Sequence, residues 1–415
     1  MKRLVDALAP GQQVWVPSMA NESALLGEEL RADPERARGV TFAGVQFPGI
    51  DRIDYLALHP EAKQIGWFMS KALRRGIAEG RAELLTQDYP GIARHLRDAP
   101  PFDVVFTQLT PPDAQGWCQP GLSADFTPLL WSRARRRVAH FNPALPRLAS
   151  SFRVHVSEVD IGVEAELPPL DFADAAAGDV EARIGAHIAA LVRDGDTLQF
   201  GIGTVPLSLA AALAQHRRLR FHGGMLPSAV MRLWEAGAMD RDARLTTGMV
   251  LGDARLHDFA ARTPQVWLTD ATQTHSPALL AATPRFIAIN SAIEVDLFGQ
   301  TNAERAGGAI QAGAGGLPAF AQAALASDGG RLLIALPSTA TTRSGGVVSR
   351  IVAALGEQSM VTVPRHLADA VITEHGVAEL RGLSLDARAQ SLIAIAAPEH
   401  RTGLAAAWDR IRVSA

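Results

Sequence analysis

Residues 194–206 read Asp-Gly-Asp-Thr-Leu-Gln-Phe-Gly-Ile-Gly-Thr-Val-Pro, a turn followed by a short apolar strand pattern and a glycine-rich step towards a helix. Residues 10–16, with Pro-Gly-Gln-Gln-Val-Trp-Val, begin in a similar way in the first half of the chain. Phe42-Ala-Gly44 also resembles Phe221-His-Gly223, and the matches follow in the same order. The sequence therefore predicts two related halves.

Strand-like and helical runs alternate along both halves. Predicted strands include residues 14–16, 102–109, 197–200, 286–289 and 331–336, and predicted helices include residues 207–214, 319–326 and 349–355. This alternation is typical of α/β folds with mainly parallel sheets. We therefore expect two similar open α/β domains.

A Pro- and Ala-rich segment over Glu164–Asp179 predicts a linker between the two domains. We place an N-terminal α/β domain at residues 1–172 and a C-terminal α/β domain at residues 173–415. Two tandem halves would leave a cleft between them, and ligands commonly bind in such clefts. We therefore expect the active site between the domains.

Composition excludes several classes of protein. The 415 residues include 40 Lys+Arg and 43 Asp+Glu, with a net charge of −3. The chain therefore lacks the basic excess that is typical of proteins that bind nucleic acids. The single cysteine excludes an intrachain disulfide and a cysteine-based metal cluster. The sequence contains no run of about 18 apolar residues, the length that would predict a membrane span. We expect a cytoplasmic protein. Since no metal-binding motif is present, no metal is expected.

Glu294 is the main candidate for a catalytic residue. It closely follows the predicted strand at 286–289, and the carboxyl ends of strands line the ligand crevice in α/β folds. Its neighbours are small or apolar, so poor solvation would make its carboxylate a stronger nucleophile and raise its pKa. The alternative is an ordinary solvated glutamate in a loop.

Two glycine-rich segments are candidates for binding an anion or an oxyanion. Gly201 and Gly203 lie between a predicted strand and a predicted helix, and Gly313, Gly315 and Gly316 precede another predicted helix. Glycines allow backbone N–H groups to approach a ligand closely. The alternative is that the first segment forms only a tight turn and the second only a flexible loop, since glycines are common in both.

Three further polar residues are candidates for a substrate pocket: Ser338, His222 and His375. Ser338 follows the predicted strand at 331–336, where a hydroxyl can bind a carbonyl or phosphate, although capping and turn formation are commoner roles. The two histidines are isolated in the sequence, so structural or pocket-lining roles are favoured over a catalytic role. Without a Gly-x-Ser-x-Gly elbow, a serine hydrolase is disfavoured.

Several segments together resemble the acetyl-CoA hydrolase/transferase family, a branch of the class I CoA-transferases that includes 4-hydroxybutyrate, butyrate–acetate and succinate–acetate CoA-transferases. The first is the segment Ile289–Ala303, whose most specific part is Glu294-Val-Asp-Leu-Phe-Gly-Gln300. The others are the loop at 313–316 and the segments at 332–340, 373–382, 109–116 and 154–160. The resemblance spans nearly the whole chain.

The resemblance implies a fold of two similar α/β domains and an assembly into a homodimer or tetramer. It places the catalytic glutamate on Glu294 and a loop for coenzyme A and the oxyanion on Gly313, Gly315 and Gly316. It also places Gly201 and Gly203 near the acyl group. Coenzyme A would enter as acyl-CoA, with a short-chain carboxylate as the second substrate.

The expected activity is the transfer of CoA from a short-chain acyl-CoA to a free carboxylic acid. The expected course is a ping-pong reaction through a glutamyl–CoA thioester on Glu294. An acyl-CoA hydrolase would use the same site with water as the acceptor. A non-catalytic protein that binds CoA is the alternative from another class.

Overall fold

A computed structural model describes residues 2–174, 176–342 and 345–413. The α-helices in this part of the chain are α1 Ala24–Ala32, α2 Tyr55–Leu58, α3 Lys71–Ala78, α4 Tyr89–Asp98, α5 Thr127–Trp131, α6 Asp179–Ala189, α7 Thr204–Ala212, α8 Ser228–Glu235, α9 Ala254–Arg262, α10 Ala271–Thr274, α11 Pro277–Ala281, α12 Leu317–Ala326, α13 Leu385–Ile395 and α14 Pro398–Arg412. Short 3₁₀-helices occur at Leu4–Ala7, Met19–Asn21, Pro34–Ala37 and Val156–Glu158.

The strands of the same part are β1 Gln13–Trp15, β2 Thr41–Gly44, β3 Lys63–Gly66, β4 Ala82–Leu84, β5 Val104–Leu109, β6 Trp117–Cys118, β7 Arg137–Phe141, β8 Ala149–Ser150, β9 Val154–His155, β10 Ile161–Glu164, β11 Thr197–Gln199, β12 Arg220–Leu226, β13 Leu245–Val250, β14 Val266–Leu268, β15 Phe286–Ser291, β16 Glu294–Asp296, β17 Thr301–Asn302, β18 Arg305–Ala306, β19 Ala309–Ile310, β20 Arg331–Ala335, β21 Thr339–Thr341, β22 Val347–Ser349, β23 Ile351–Val352, β24 Ala370–Thr373 and β25 Gly376–Glu379.

The chain divides into two compact units. The first contains the chain up to Ala173, together with Gly224–Leu226 and Arg244–Thr274. The second contains Asp174–Gly223, Pro227–Ala243 and the chain from His275 onwards. The expected boundary at 172/173 lies close to the end of the first long segment, and the two later segments of the first unit fall beyond it. The sequential division into domains stays a prediction.

The first unit contains a parallel sheet with the strand order β10-β7-β5-β1-β2-β3-β4. Its apolar core includes Val14, Phe42, Val104, Phe106 and Val138, which all have 2% or less of their surface exposed. Since consecutive residues of a strand point to opposite faces, a sheet covered by helices on both faces needs nearly continuous apolar strands. The strand β5 meets this requirement, because all six of its residues are buried.

The second unit repeats this arrangement. Its strands follow the order β24-β20-β15-β11-β12, with parallel neighbours, and β25 adds an antiparallel edge. The order matches β10-β7-β5-β1-β2 of the first unit. The matched segments at 10–16 and 194–200 thus contain equivalent strands, β1 and β11. The α/β fold with two similar, mainly parallel sheets is therefore confirmed.

The predicted helix at 349–355 is wrong. Ser349 ends β22, and Ile351 and Val352 form β23, which pairs in parallel with β16. Ile351 is fully buried opposite Val295. The β-branched residues Val347, Val348, Ile351 and Val352 favour an extended chain, and this preference outweighs the apparent helical spacing.

The first unit also buries acidic side chains. Asp125 has 8% of its surface exposed, and burial raises its pKa to about 7. Its backbone has a positive φ of 40°, a conformation that asparagine and aspartate adopt more readily than most residues. Asp125 is therefore protonated in the folded protein at a pH where it is ionised in the unfolded chain.

This difference gives a pH-dependent stability. Because the folded state keeps its proton up to about pH 7 and the unfolded chain loses it near pH 4, Asp125 lowers stability as pH rises through that window. Asp125→Asn should remove this contribution, by up to about 1.4 kcal/mol per pH unit. We expect the melting temperature, measured by calorimetry from pH 5 to pH 7, to fall less in the variant than in the wild type. Equal slopes would contradict a buried, protonated Asp125, and exposed Asp98→Asn is the control.

Candidate active site

Glu294 lies just beyond the carboxyl end of β15, as the sequence predicts. The chain leaves β15 at Ser291 and re-enters a strand at Glu294, the first residue of β16. β16 is the middle strand of a small sheet, between antiparallel β17 and parallel β23. Val295 on the next position is fully buried and anchors the strand, while Glu294 is half-buried. The Glu294 carboxylate is thus held on a strand that is paired on both sides, and it stays partly exposed.

The Glu294 carboxylate accepts two hydrogen bonds on the same oxygen. Asn302 Nδ2 donates to Oε1 over 2.8 Å, and Ser359 Oγ donates to Oε1 over 2.5 Å. Among the described residues, Oε2 accepts no hydrogen bond. The two oxygens of Glu294 are therefore not equivalent, since Oε1 accepts hydrogen bonds from two neutral donors and Oε2 accepts none from the described residues.

Asn302 is positioned by the backbone around it. It lies directly opposite Glu294 in the pairing of β16 with β17 and is fully buried. Its Oδ1 accepts from the backbone N–H groups of Glu304 and Arg305, and its Nδ2 also donates to the carbonyl of Arg305. Since an asparagine amide has one oxygen and one nitrogen, these bonds orient Nδ2 towards Glu294.

Arg350 brings a positive charge to the same region. Its guanidinium donates to the carbonyls of Ala292 and Ile293, each over 2.8 Å, immediately before Glu294. Burial lowers the pKa of Arg350, while the nearby carboxylates of Glu374 and Glu294 act to raise it. Arg350 therefore supports the chain that presents Glu294 and lies within the electrostatic range of both carboxylates.

Ser338 and His375, two predicted pocket residues, meet at Glu374. Glu374 and His375 form the turn between β24 and β25, and Ser338 follows β20. The backbone N–H and the hydroxyl of Ser338 donate to Glu374 over 2.8 and 2.6 Å, and His375 Nε2 lies 3.5 Å from its Oε1. Burial acts to raise the pKa of Glu374, but the hydrogen bonds from Ser338 outweigh it and the pKa is lowered. Glu374 is therefore held ionised.

Asp296 has a structural role in the motif that carries Glu294. It is fully buried, and burial raises its pKa despite four hydrogen bonds. The donors are the backbone N–H groups of Phe298, Gln300 and Leu355 and the amide side chain of Gln300. Gly299, with φ of 89°, allows the tight turn that these bonds close. Part of the Glu294–Gln300 motif, which distinguishes the family in sequence, therefore serves to form this turn.

The predicted glycine loop ends at the amino terminus of α12. Gly315 has φ of 61°, and Gly316 is the N-cap residue. A Cβ at Gly316 would lie 2.5 Å from Nε2 of His275, so a larger residue does not fit there. This local form suits a nest of backbone donors. The roles of Gly313, Gly315 and Gly316 toward a ligand stay predictions.

Gly201 and Gly203 connect β11 to α7, as predicted. Gly203 has φ of 123°, and a Cβ at either glycine would meet no atom within 4 Å. Nearby, Asn290 Nδ2 donates to Gln199 Oε1 over 2.8 Å and ties the ends of β15 and β11 together. His222 lies in β12 and is half-buried. None of the contacts given above for Glu294 and Glu374 includes these glycines or His222.

The single cysteine, Cys118, belongs to the first unit. Cys118 is buried, and burial raises its pKa to about 11, so its thiol stays protonated at neutral pH. Within the described ranges, no group of three or more His, Cys, Asp or Glu side chains is arranged to hold a metal ion. None of the described helices is long and apolar enough to cross a membrane.

Sequence reasoning missed Asn302, Ser359, Arg350 and Glu374. Asn302 lies eight positions after Glu294 and Glu374 directly precedes His375, so both fall within segments already singled out by the resemblance. Asparagine side chains commonly accept a hydrogen bond from the backbone two residues on, and this tendency was a usable signal for Asn302. Ser359 and Arg350 come from a region predicted as helical or left unassigned, and no local pattern marks them.

The chain is similar in sequence to proteins of known activity. A 4-hydroxybutyrate coenzyme A transferase from Clostridium kluyveri is 34% identical over 346 residues, which cover 81% of this chain and 80% of the relative. The chain belongs to the acetyl-CoA hydrolase/transferase family. The C-terminal domain of that family matches residues 252–408, which include Glu294, Ser338, Arg350 and Glu374.

The chain is also similar to a CoA transferase named for other substrates and to a solved structure. A succinyl-CoA:cyclohexane-1-carboxylate CoA transferase from Geobacter metallireducens is 33% identical over 358 residues, 85% of this chain and 81% of the relative. The crystal structure of RipA from Yersinia pestis has a TM-score of 0.90 and 26% identity, covering 99% of this chain and 97% of RipA. The predicted relationship to CoA-transferases is confirmed.

Proposed function

We propose that the protein transfers CoA between a short-chain acyl-CoA and a free carboxylate, with Glu294 as the nucleophile. The observation that carries the proposal is the asymmetric environment of Glu294, in which Asn302 and Ser359 hold Oε1 and leave Oε2 without a hydrogen-bond partner in the described part of the chain. The names of its relatives support an acyl-CoA and a carboxylate as substrates.

The first half-reaction has two acyl transfers. Oε2 attacks the thioester carbon, CoA leaves as a thiolate, and an acyl–glutamyl anhydride remains. The thiolate then attacks the glutamyl carbonyl carbon and releases the carboxylate of the substrate, leaving a glutamyl–CoA thioester. An incoming carboxylate reverses both steps and departs as the new acyl-CoA.

Asn302 and Ser359 have a defined task in this sequence. When a nucleophile attacks the glutamyl carbonyl, negative charge develops on Oε1, the oxygen to which both side chains donate. Donors already in place stabilise such an oxyanion without reorganisation. The backbone N–H groups of Gly315 and Gly316, and those near Gly201 and Gly203, are the proposed donors for the oxyanion on the substrate carbonyl.

A second candidate is hydrolysis of acyl-CoA at the same site, which is favoured by the match to a family that includes hydrolases. Water in place of the second carboxylate would cleave the glutamyl–CoA thioester. Release of CoA should be assayed with and without acetate, propionate, butyrate or succinate. Formation of a new acyl-CoA only with an added carboxylate supports the transferase, and equal CoA release without one supports the hydrolase.

The covalent intermediate can be trapped directly. The protein is incubated with acyl-CoA, treated with borohydride, digested and analysed by mass spectrometry. Reduction of the thioester should convert the Glu294 side chain to an alcohol, in the wild type but not without acyl-CoA. Unmodified Glu294 under conditions of full turnover would contradict the mechanism. Light scattering of the untreated protein tests the expected homodimer or tetramer.

Ser359→Ala should lower kcat about 100-fold, because it removes one of the two donors to Oε1. Ser359→Thr keeps a hydroxyl at the same position and should retain most of the activity. Steady-state kinetics of CoA transfer measures both variants, and KM for acyl-CoA should change little. A Ser359→Ala rate within threefold of the wild type would remove Ser359 from the mechanism.

A further inference from the structure

A small cavity lies at the opposite end of the strands that lead to Glu294. It has a volume of about 240 Å³ and is lined at the start of β11 by Asp196, at the start of β15 by Arg285 and Ile287, and at the start of β20 by Arg331. Glu294 and Ser338 follow the carboxyl ends of β15 and β20. The six residues of β15 separate the two places by roughly 17–20 Å. The cavity is therefore distinct from the candidate active site.

Four arginines line this cavity: Arg193, Arg285, Arg331 and Arg381. Carboxylates pair with three of them. Arg285 Nε lies 3.1 Å from Asp196, Arg331 Nη2 lies 2.5 Å from Glu379, and Arg381 Nε lies 2.5 Å from Asp369. Arg193 makes no side-chain hydrogen bond to any described residue. The cluster therefore carries one more positive than negative charge.

Most of the N–H groups of these guanidinium groups remain available. Main-chain carbonyls near the cavity accept two bonds, from Arg285 to Asp194 over 3.4 Å and from Arg381 to Gly330 over 2.7 Å. Each guanidinium has five N–H donors in a planar fork that matches the oxygens of phosphate. Several unused donors thus face one small space.

The backbone around Arg285 is adapted to hold its side chain there. Arg285 has a positive φ of 53°, which is uncommon for a residue other than glycine. Cβ atoms at Gly195 and Gly329 would lie 2.6 Å from Nη2 and 3.1 Å from Cγ of Arg285. Both glycines therefore leave the room that the arginine occupies.

We propose that this arginine pocket binds a phosphoryl anion. Its volume of about 240 Å³ is below the roughly 300–1,000 Å³ of sites for whole small molecules, so it fits a phosphate or diphosphate group. The bound anion neutralises the excess positive charge and accepts hydrogen bonds from the unused N–H groups of Arg193 and Arg331. Inorganic phosphate and the diphosphate of a nucleotide share this chemistry.

Isothermal titration calorimetry with phosphate, diphosphate and ADP, at ionic strength held constant with chloride, tests the proposal. Arg193→Gln should weaken phosphate binding at least tenfold, and Arg193→Gln combined with Arg331→Gln about 100-fold. Arg183→Gln, an exposed substitution on α6 with the same change of charge, should bind like the wild type. Binding of ADP that is tighter than that of diphosphate and is weakened in the double variant identifies a nucleotide as the source, and equal binding of ADP and diphosphate identifies the inorganic anion.

Absence of binding at millimolar phosphate in the wild type, or equal dissociation constants in the wild type and the double variant, would overturn the proposal. The titrations should be repeated with Glu294→Ala. We expect unchanged phosphate binding there, so the pocket stands or falls independently of the proposed CoA transfer.

Discussion

Replacing Glu294 with alanine is expected to lower the rate of CoA transfer by about 10⁴-fold or more. The substitution removes the carboxyl group that carries the acyl group on Oε2 and then the CoA on its carbonyl carbon in the proposed reaction, and loss of an enzyme nucleophile has effects of this order. Binding of acyl-CoA should persist, since most contacts of so large a substrate lie away from the reacting atoms. Stopped-flow or discontinuous assays of acyl-CoA formation measure the rate, and calorimetry measures the binding.

Glu357→Gln is the matched control for this variant. Glu357 is exposed and lies two positions before Ser359, in the loop that reaches Glu294. We expect its activity to equal that of the wild type. Activity of Glu294→Ala within tenfold of the wild type would show that another group is the nucleophile, whatever the behaviour of the control.

Trp408→Ala is expected to destabilise the protein by about 3–5 kcal/mol, the typical cost of removing a large buried aromatic side chain. Trp408 has 2% of its surface exposed and packs edge-on against Phe298 at 5.4 Å. Its Nε1 donates to Asp386 over 2.8 Å. The substitution leaves a cavity beside the turn that follows Glu294 and also leaves Asp386 without that donor. Differential scanning calorimetry should show a lower melting temperature.

Trp408→Phe separates packing from hydrogen bonding at this position. It keeps most of the ring but loses the donor to Asp386, which should cost about 1 kcal/mol. If Trp408→Phe and Trp408→Ala lower the melting temperature equally, the hydrogen bond rather than the packing is the main contribution. An unchanged melting temperature in Trp408→Ala would contradict the assignment of Trp408 to the core.

The fold was predictable because strands such as β5 and β20 are mainly apolar runs and because the two halves share a pattern. The runs at 102–109 and 331–336 contain β5 and β20, in which every residue except Arg331 is buried. The segment at 349–355 failed because short strands such as β23 have too few residues to show a period. Ile351 is placed by its pairing with Val295, a partner more than fifty positions away, and local spacing does not contain that information.

The candidate site was predictable only in part. Glu294 follows a strand whose end faces the ligand side of an α/β sheet, so position in the fold was enough to single it out. Its partners depend on strand register and on loop paths. Asn302 contacts Glu294 because the turn at Asp296 sets the register of β16 and β17, and Ser359 arrives from a loop 65 positions away. Neither relation follows from residue type alone.

The attachment of both donors to Oε1 has an isotopic consequence for the proposed reaction. The oxygen that bridges the first anhydride, Oε2, leaves with the departing carboxylate, and the oxygen that replaces it comes from the incoming one. Every complete cycle therefore exchanges one oxygen atom of Glu294, while Oε1, bound by Asn302 and Ser359, stays with the protein. After each turnover the carboxylate of Glu294 is restored, but one of its two oxygen atoms comes from the substrate.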